Sequence, residues 1–202
     1  MATLSSLSQE ELGSAAQRER RRRILDATIA LASKGGFDAV QMRAVAEKAD
    51  VALGTLYRYF PSKIHLLVSA LGREFERAQA GFDQRTLTGE TAADRVIHVL
   101  NRNTRGMQRE PQLTEALTRA FMFADSSVAN EIHIAGMYLT DMLTRAMKGP
   151  EGDDAEPTEE NIAIAKVIGD VWMSNLVAWV TGRASAADVS KSMDVAVRLI
   201  LR

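Results

Sequence analysis

The chain has 202 residues, 46% hydrophobic and 25% charged, with 25 Lys and Arg against 26 Asp and Glu for a formal net charge of −1. That length and apolar share suffice to bury a core. The zero cysteine count excludes disulfides, thiolate metal sites and thiol redox chemistry, and fits a reducing, cytoplasmic setting.

Charge is unevenly spread. Residues 1–63 hold ten Lys or Arg and seven Asp or Glu, a balance of +3, so the remainder carries 15 against 19, or −4. A small basic module joined to a larger acidic one is the expectation. The opening "MATLSSLSQEELGSAAQRERRRR" has no apolar run behind a positive start, so no secretory signal is read there. Residues 1–16 are expected to be a flexible leader, with "SQEE" able to begin a turn of helix.

From Arg18 the pattern becomes periodic: Ile24, Leu25, Thr28, Ile29, Leu31 and Ala32 recur at helical spacing, and "KGGF" supplies a glycine stop. A short helix fits "MRAVAEKA", then "ADV" forms a break and "LGTLYRY" a third helix that Pro61 ends. Ser62 caps a longer helix through "KIHLLVSALGREFERAQ". Thr91 with Asp94 has capping-box spacing and opens a helix to about Arg109; Pro111 starts the next, through "LTEALTRAFMF". Another spans about Ser127 to Met147, and "KGPEGDDAEP" reads as a loop. Thr158 caps an apolar helix to about Thr181, and Ser185 with Asp188 opens the last. The stretch from Ile162 to Gly182 is interrupted by Lys166 and Asp170, which argues against a membrane span. With no strand alternation bounded by turns, the expected fold is all-α: a three-helix head over 17–63 and a larger helical domain over 64–202.

A helix, a short second helix, a tight turn and a short third helix make a helix-turn-helix, whose last helix enters the DNA major groove. The centre of such a turn takes a left-handed backbone, which Asp50 tolerates better than most residues. On the third helix Leu53, Leu56 and Phe60 are expected to face the core, which leaves Thr55, Tyr57, Arg58 and Tyr59 around the other face. Gly54 lets the backbone approach a phosphate, Thr55 and Arg58 suit phosphate or base contacts, and Lys63 is placed to tether the duplex backbone.

The run "VQMRAVAEKADVALGTLYRYFPSKIHLL" resembles the DNA-binding signature of TetR-type transcriptional repressors. The resemblance implies DNA contacts from Gln41, Arg43, Thr55, Tyr57, Arg58 and Lys63. Where that family usually has Thr, Gly and Ser, this chain has Gln41, Asp50 and Ala52. A closer likeness within the family, carried by "AQRERRRRILDAT", "ADVALGTLYRYFPSK" and "VIGDVWMSNLVAWVTGRASAADVSK", implies a homodimer on a palindromic operator. It further implies control of cholesterol catabolism and release by a steroid-derived acyl-CoA thioester. A fatty acyl-CoA, a drug or a flavonoid is the alternative effector.

For such an effector, Met107, Phe121, Met122, Phe123, Met137, Tyr138 and Met142 are the candidate cavity residues, since adaptable Met and aromatic side chains suit an apolar ligand. Trp172 and Trp179 share a helix face with Asn175 between them, and are read as lining the pocket, the dimer interface or both. Arg95, His98, Arg102, Arg105 and Arg109 recur at alternating three- and four-residue steps, a cationic stripe. Its plain reading is a solvated face; its sharper one has Arg102 and Arg105 receive CoA phosphates. No cofactor or metal is expected: His65, His98 and His133 lack ligand spacing, and no catalytic motif supports the one enzyme alternative, a helical acyl-CoA-processing protein.

Overall fold

A computed structural model describes residues 9–150 and 156–202, with side chains from residue 15 onward. The described residues form nine α-helices and two 3-10 turns, with no strand among them. The first eight residues of the expected leader and the centre of the acidic loop lie outside the described residues. The rest of the leader is a correction: α1 (Gln9–Ala39) begins at Gln9, well before Arg18.

The head is built from α1, α2 (Met42–Lys48) and α3 (Leu53–Tyr59). Between the two short helices Asp50 has φ +52°, the one positive φ at a non-glycine among the described residues. The chain therefore reverses there as the "ADV" turn predicts, and half-buried Val51 packs on the core behind it. Ile24, Leu25, Val45, Ala46, Ala49, Leu56 and Phe60 form the head core. Burying Leu56 and Phe60 stabilises the fold by roughly 1.5–3 kcal/mol each. Leu53 departs from expectation: it is 40% exposed, because it opens α3 beside exposed Ala52 and Gly54 instead of sitting over the α1–α2 angle.

Six helices make the body: α4 (Lys63–Ala80), α5 (Ala92–Arg109), α6 (Pro111–Met122), α7 (Ala129–Lys148), α8 (Glu159–Val180) and α9 (Ala186–Ile200). Ser62 Oγ caps α4 by accepting the His65 amide. Thr91–Asp94 and Ser185–Asp188 form reciprocal capping boxes at α5 and α9. Hydrogen bonds from Thr91 and Ser185 hold the Asp94 and Asp188 carboxyls below the ordinary carboxylate range. A carboxyl lowered on folding stabilises above its unfolded pKa, so both caps are intact at neutral pH and are lost as the pH falls below about 4.

Head and body are joined without a linker, since α4 starts at the head and runs into the body. A second junction lies where α1 breaks at Gly35 and Gly36. The Phe37 amide, freed by that break, donates to Glu115 Oε2 on α6 at 2.8 Å. The Phe37 ring carries Lys63 Nζ at 3.8 Å and the Arg119 guanidinium at 4.6 Å from its centre. α6 thus turns Gln112, Glu115 and Arg119, one face by helical spacing, toward the elbow of the head.

Gly36 has φ +63° and ψ −157°, a region reserved for glycine, and an added Cβ would stand 2.6 Å from Glu115 Oε2. Gly36→Ala is expected to lower unfolding free energy by about 1–3 kcal/mol in urea denaturation. Gly136→Ala, at a helical site where a Cβ meets nothing within 4 Å, is expected to leave stability unchanged or raise it by up to about 1 kcal/mol.

Candidate nucleic-acid interface and ligand cavity

Two separate places in the molecule present chemistry that folding does not consume. The first is the outer face of α2 and α3. Gln41, Arg43, Gly54, Tyr57 and Arg58 are exposed there, and Thr55 and Tyr59 are half-buried. Gln41 precedes α2 without a side-chain capping bond, and Arg43 pairs with Glu47 at 3.2 Å. Tyr59 leans toward Phe60, ring centres 6.4 Å apart, so it divides its surface between core and solvent. At Gly54 an added Cβ would meet nothing within 4 Å, and its φ is not positive, so nothing inside the protein requires glycine.

Lys63 occupies a different setting from the exposed tether expected of it. Its ammonium lies against Phe37 at the elbow, and burial pushes it below the ordinary lysine range. Arg21 went unread within the arginine run, yet its guanidinium sits 5.3 Å from the centre of the Phe60 ring, which brings a cation beside the end of α3. No sequence signal distinguishes it from its neighbours: Arg22 is spent on Glu19 and Asp26, and Arg23 on Ala49 O and Asp50.

The second place is a cavity of about 530 Å³, within the range of small-molecule sites. Leu71, Phe75, Leu113, Leu117, Met173 and Leu176 give it apolar walls, contributed by α4, α6 and α8. α5 supplies a polar side: Arg102, Asn103, Arg105, Met107 and Arg109. The alternating stripe therefore divides by function. Arg95 donates to Ala146 O and Met147 O at 2.9 and 2.8 Å and closes the C-terminus of α7, and His98 Nδ1 contacts Thr88 Oγ1. Arg102 donates one nitrogen to Gly81 O at 2.8 Å. Arg105 and Arg109 are exposed and make no ion pair or side-chain hydrogen bond among the described residues.

Of the candidate ligand residues, Arg102, Arg105 and Met107 line this cavity, and the others do not. The last turn of α6 leaves the cavity face after Thr118, so Phe121 is half-buried while Met122 and Phe123 turn outward, Phe123 to 62% exposure. On α7, Met137 points to solvent, Tyr138 is half-buried and Met142 is sealed in the core. Asn175 donates to Val171 O of its own helix and touches Met193 Sδ, and Trp179 is half-buried against the core. Composition pointed to methionines and aromatics; leucines on faces that only packing defines make the wall. The i, i+4 pair Leu71–Phe75 and the pair Leu113–Leu117 carried the available signal.

α8 is the one helix among the described residues long and apolar enough to cross a membrane by length and composition, yet only 28% of its apolar window is buried. Val167 on α8 and Val195 and Leu199 on α9 are at least half exposed. The uncovered apolar surface is thus concentrated on the last two helices.

Comparison with known proteins gives consistent matches. Residues 24–70 match the family described as bacterial regulatory proteins, tetR family, and residues 89–200 the tetracyclin repressor-like, C-terminal domain. The chain is 61% identical over 201 residues to the HTH-type transcriptional repressor KstR of Mycolicibacterium smegmatis, covering 100% of this chain and 96% of that one. Its fold resembles the crystal structure of a TetR transcriptional regulator from Rhodococcus sp. RHA1, with TM-score 0.81, 33% identity and coverage of 92% and 97%. It also resembles Thermus thermophilus FadR in complex with lauroyl-CoA, with TM-score 0.68, 20% identity and coverage of 90% and 93%.

Trp172 stands just behind the cavity wall, fully buried, with its ring edge toward Phe75 at 6.2 Å. Its Nε1 donates to Thr104 Oγ1 at 3.0 Å, which in turn donates to Leu100 O. Thr104→Val keeps the shape and removes the acceptor. It is expected to destabilise the body by about 1–3 kcal/mol, read by denaturation followed through tryptophan fluorescence, because a buried indole N–H is left unpaired.

Proposed function

Because the chain belongs to the TetR family of bacterial transcriptional regulators, we propose that it acts as a homodimer. Its two heads hold a palindromic double-stranded DNA operator and release it when an effector fills the cavity. The observation that carries this reading is the two-faced α6: Leu113 and Leu117 wall the cavity, and Glu115 on the same helix holds the elbow of the head. An occupant that shifts α6 by a fraction of an ångström acts on the α1 elbow, and α4 gives a second path, since it starts at the head and carries Leu71 and Phe75 into the wall. Two heads must meet successive major grooves about 34–36 Å apart, so a small change in head orientation is enough to break register.

On the DNA side, Tyr57 and Arg58 present a phenol and a guanidinium from α3, and Gln41, Arg43, Thr55 and Tyr59 flank them. Gly54 leaves the backbone of the first turn open to a phosphate. The apolar surface of α8 and α9 is covered by the second copy, which is a sufficient role for a helix that Lys166 and Asp170 make a poor membrane span. The protein then works in the cytoplasm, as a regulator and not an enzyme.

On the effector side, likeness to KstR supports a repressor of cholesterol or steroid catabolism that responds to a steroid-derived acyl-CoA thioester. The apolar walls suit a steroid body, and Arg105 and Arg109, unspent at the polar side, suit the CoA phosphates. A protein of this fold is described with lauroyl-CoA bound, which speaks for the fold as a host for thioesters.

Gly54→Ala is expected to fold at least as stably as the parent chain while operator affinity, measured by fluorescence anisotropy, falls tenfold or more. The parent's affinity should fall steeply and linearly in log–log form with salt. Arg105→Ala combined with Arg109→Ala is expected to weaken a steroid acyl-CoA by about tenfold or more and leave binding of the free steroid acid nearly unchanged. Equal release of DNA by the free acid and the thioester in the parent chain would count against CoA recognition.

A further inference from the structure

The buried threonines of this protein follow one rule, with one exception. Thr28, Thr104 and Thr144 donate to carbonyls of their own helices, and Thr114 donates to Met107 O at 2.8 Å across the α5–α6 turn. Thr118, only 4% exposed, makes no side-chain hydrogen bond among the described residues. It lies on the α6 face that walls the cavity, next to Leu117. The other buried hydroxyl without a partner, Ser69 Oγ, is enclosed by packing and does not line the cavity. A second polar side chain of the cavity wall, Asn103 on α5, has its amide nitrogen enclosed without a partner.

A buried hydroxyl left unpaired is unfavourable, and a ligand oxygen that meets it recovers that loss. Thr118 is placed for this purpose. It stands eight positions along α6 from Glu110, a separation of roughly 12 Å at 1.5 Å per residue, so it is well removed from Arg109 at the α5–α6 turn. A ligand whose anionic end lies on Arg105 and Arg109 therefore presents a different part of its apolar body to Thr118.

We propose that Thr118 is a specificity-determining residue that hydrogen-bonds an uncharged oxygen, a ketone or hydroxyl, on the apolar body of the effector. This rests on the reading of the cavity as an acyl-CoA site. It narrows the effector class to oxygenated ring systems and sets them apart from plain hydrocarbon acyl chains of similar volume. Leucine walls alone discriminate such a pair weakly, because a hydrophobic pocket does not strongly reject an added hydroxyl, whereas a site built to bond it favours the oxygenated member.

The test compares three CoA thioesters of one steroid acid skeleton, carrying a ring ketone, a ring hydroxyl or neither, by titration calorimetry and by release of operator DNA. The parent chain is expected to bind at least one oxygenated thioester about tenfold more tightly than the deoxygenated one. Thr118→Val is expected to reduce that preference to within about twofold by weakening only the oxygenated ligand, and Thr118→Ser to retain it. Equal binding of all three by the parent, or a Thr118→Val change that weakens all three alike, overturns the proposal while the acyl-CoA reading stands. Failure of every thioester to bind the parent chain overturns the reading of the cavity and the proposal with it.

Discussion

One carboxylate sets how the head meets the body. The glycine break in α1 exposes the Phe37 amide in a place where no helix partner reaches it, and Glu115 accepts it at 2.8 Å. A buried amide needs a partner, and a charged acceptor supplies a stronger bond than a neutral one. Glycine at position 36 is required twice over, by its backbone angles and by the closeness of that carboxylate. Lys63 and Arg119 then settle on the Phe37 ring, with Asp38 3.7 Å from Arg119, so the elbow becomes a small ionic cluster on an aromatic ring.

This constraint gives α6 its meaning. At 3.6 residues per turn, Gln112, Glu115 and Arg119 face the head, while Leu113, Thr114, Leu117 and Thr118 face the cavity. A helix is stiff over twelve residues, so a displacement imposed on one face is delivered to the other. α4 shares the task by continuity of chain. The two helices give a physical route between cavity and recognition helix that needs no flexible linker.

Much of the architecture was legible in the sequence because the signals are local. The Thr91–Asp94 and Ser185–Asp188 boxes close within one turn, Pro61 and Pro111 act on their own residue, and Asp50 takes a left-handed turn by its own tolerance. The α3 boundaries, Leu53 to Tyr59, match the reading of "LGTLYRY". The cavity was far less legible. Reading it from methionine and aromatic content placed Phe123 and Met137 in a pocket, but both face solvent, and the wall is largely leucine with two threonines. Arg95 and Arg105 look alike in a periodic stripe; one closes the end of α7 and the other has no partner.

The sequence by itself determined the helices, their caps, the helix-turn-helix head and the family, since hydrogen bonds and steric limits within a few residues decide each of these. Tertiary structure alone decided which face of each helix turns inward, and with it the cavity wall, the fate of each arginine, the Glu115 elbow and the unspent hydroxyl of Thr118. Those outcomes depend on contacts between residues distant in sequence, such as Phe37 with Glu115 or Thr104 with Trp172, and no local pattern encodes them.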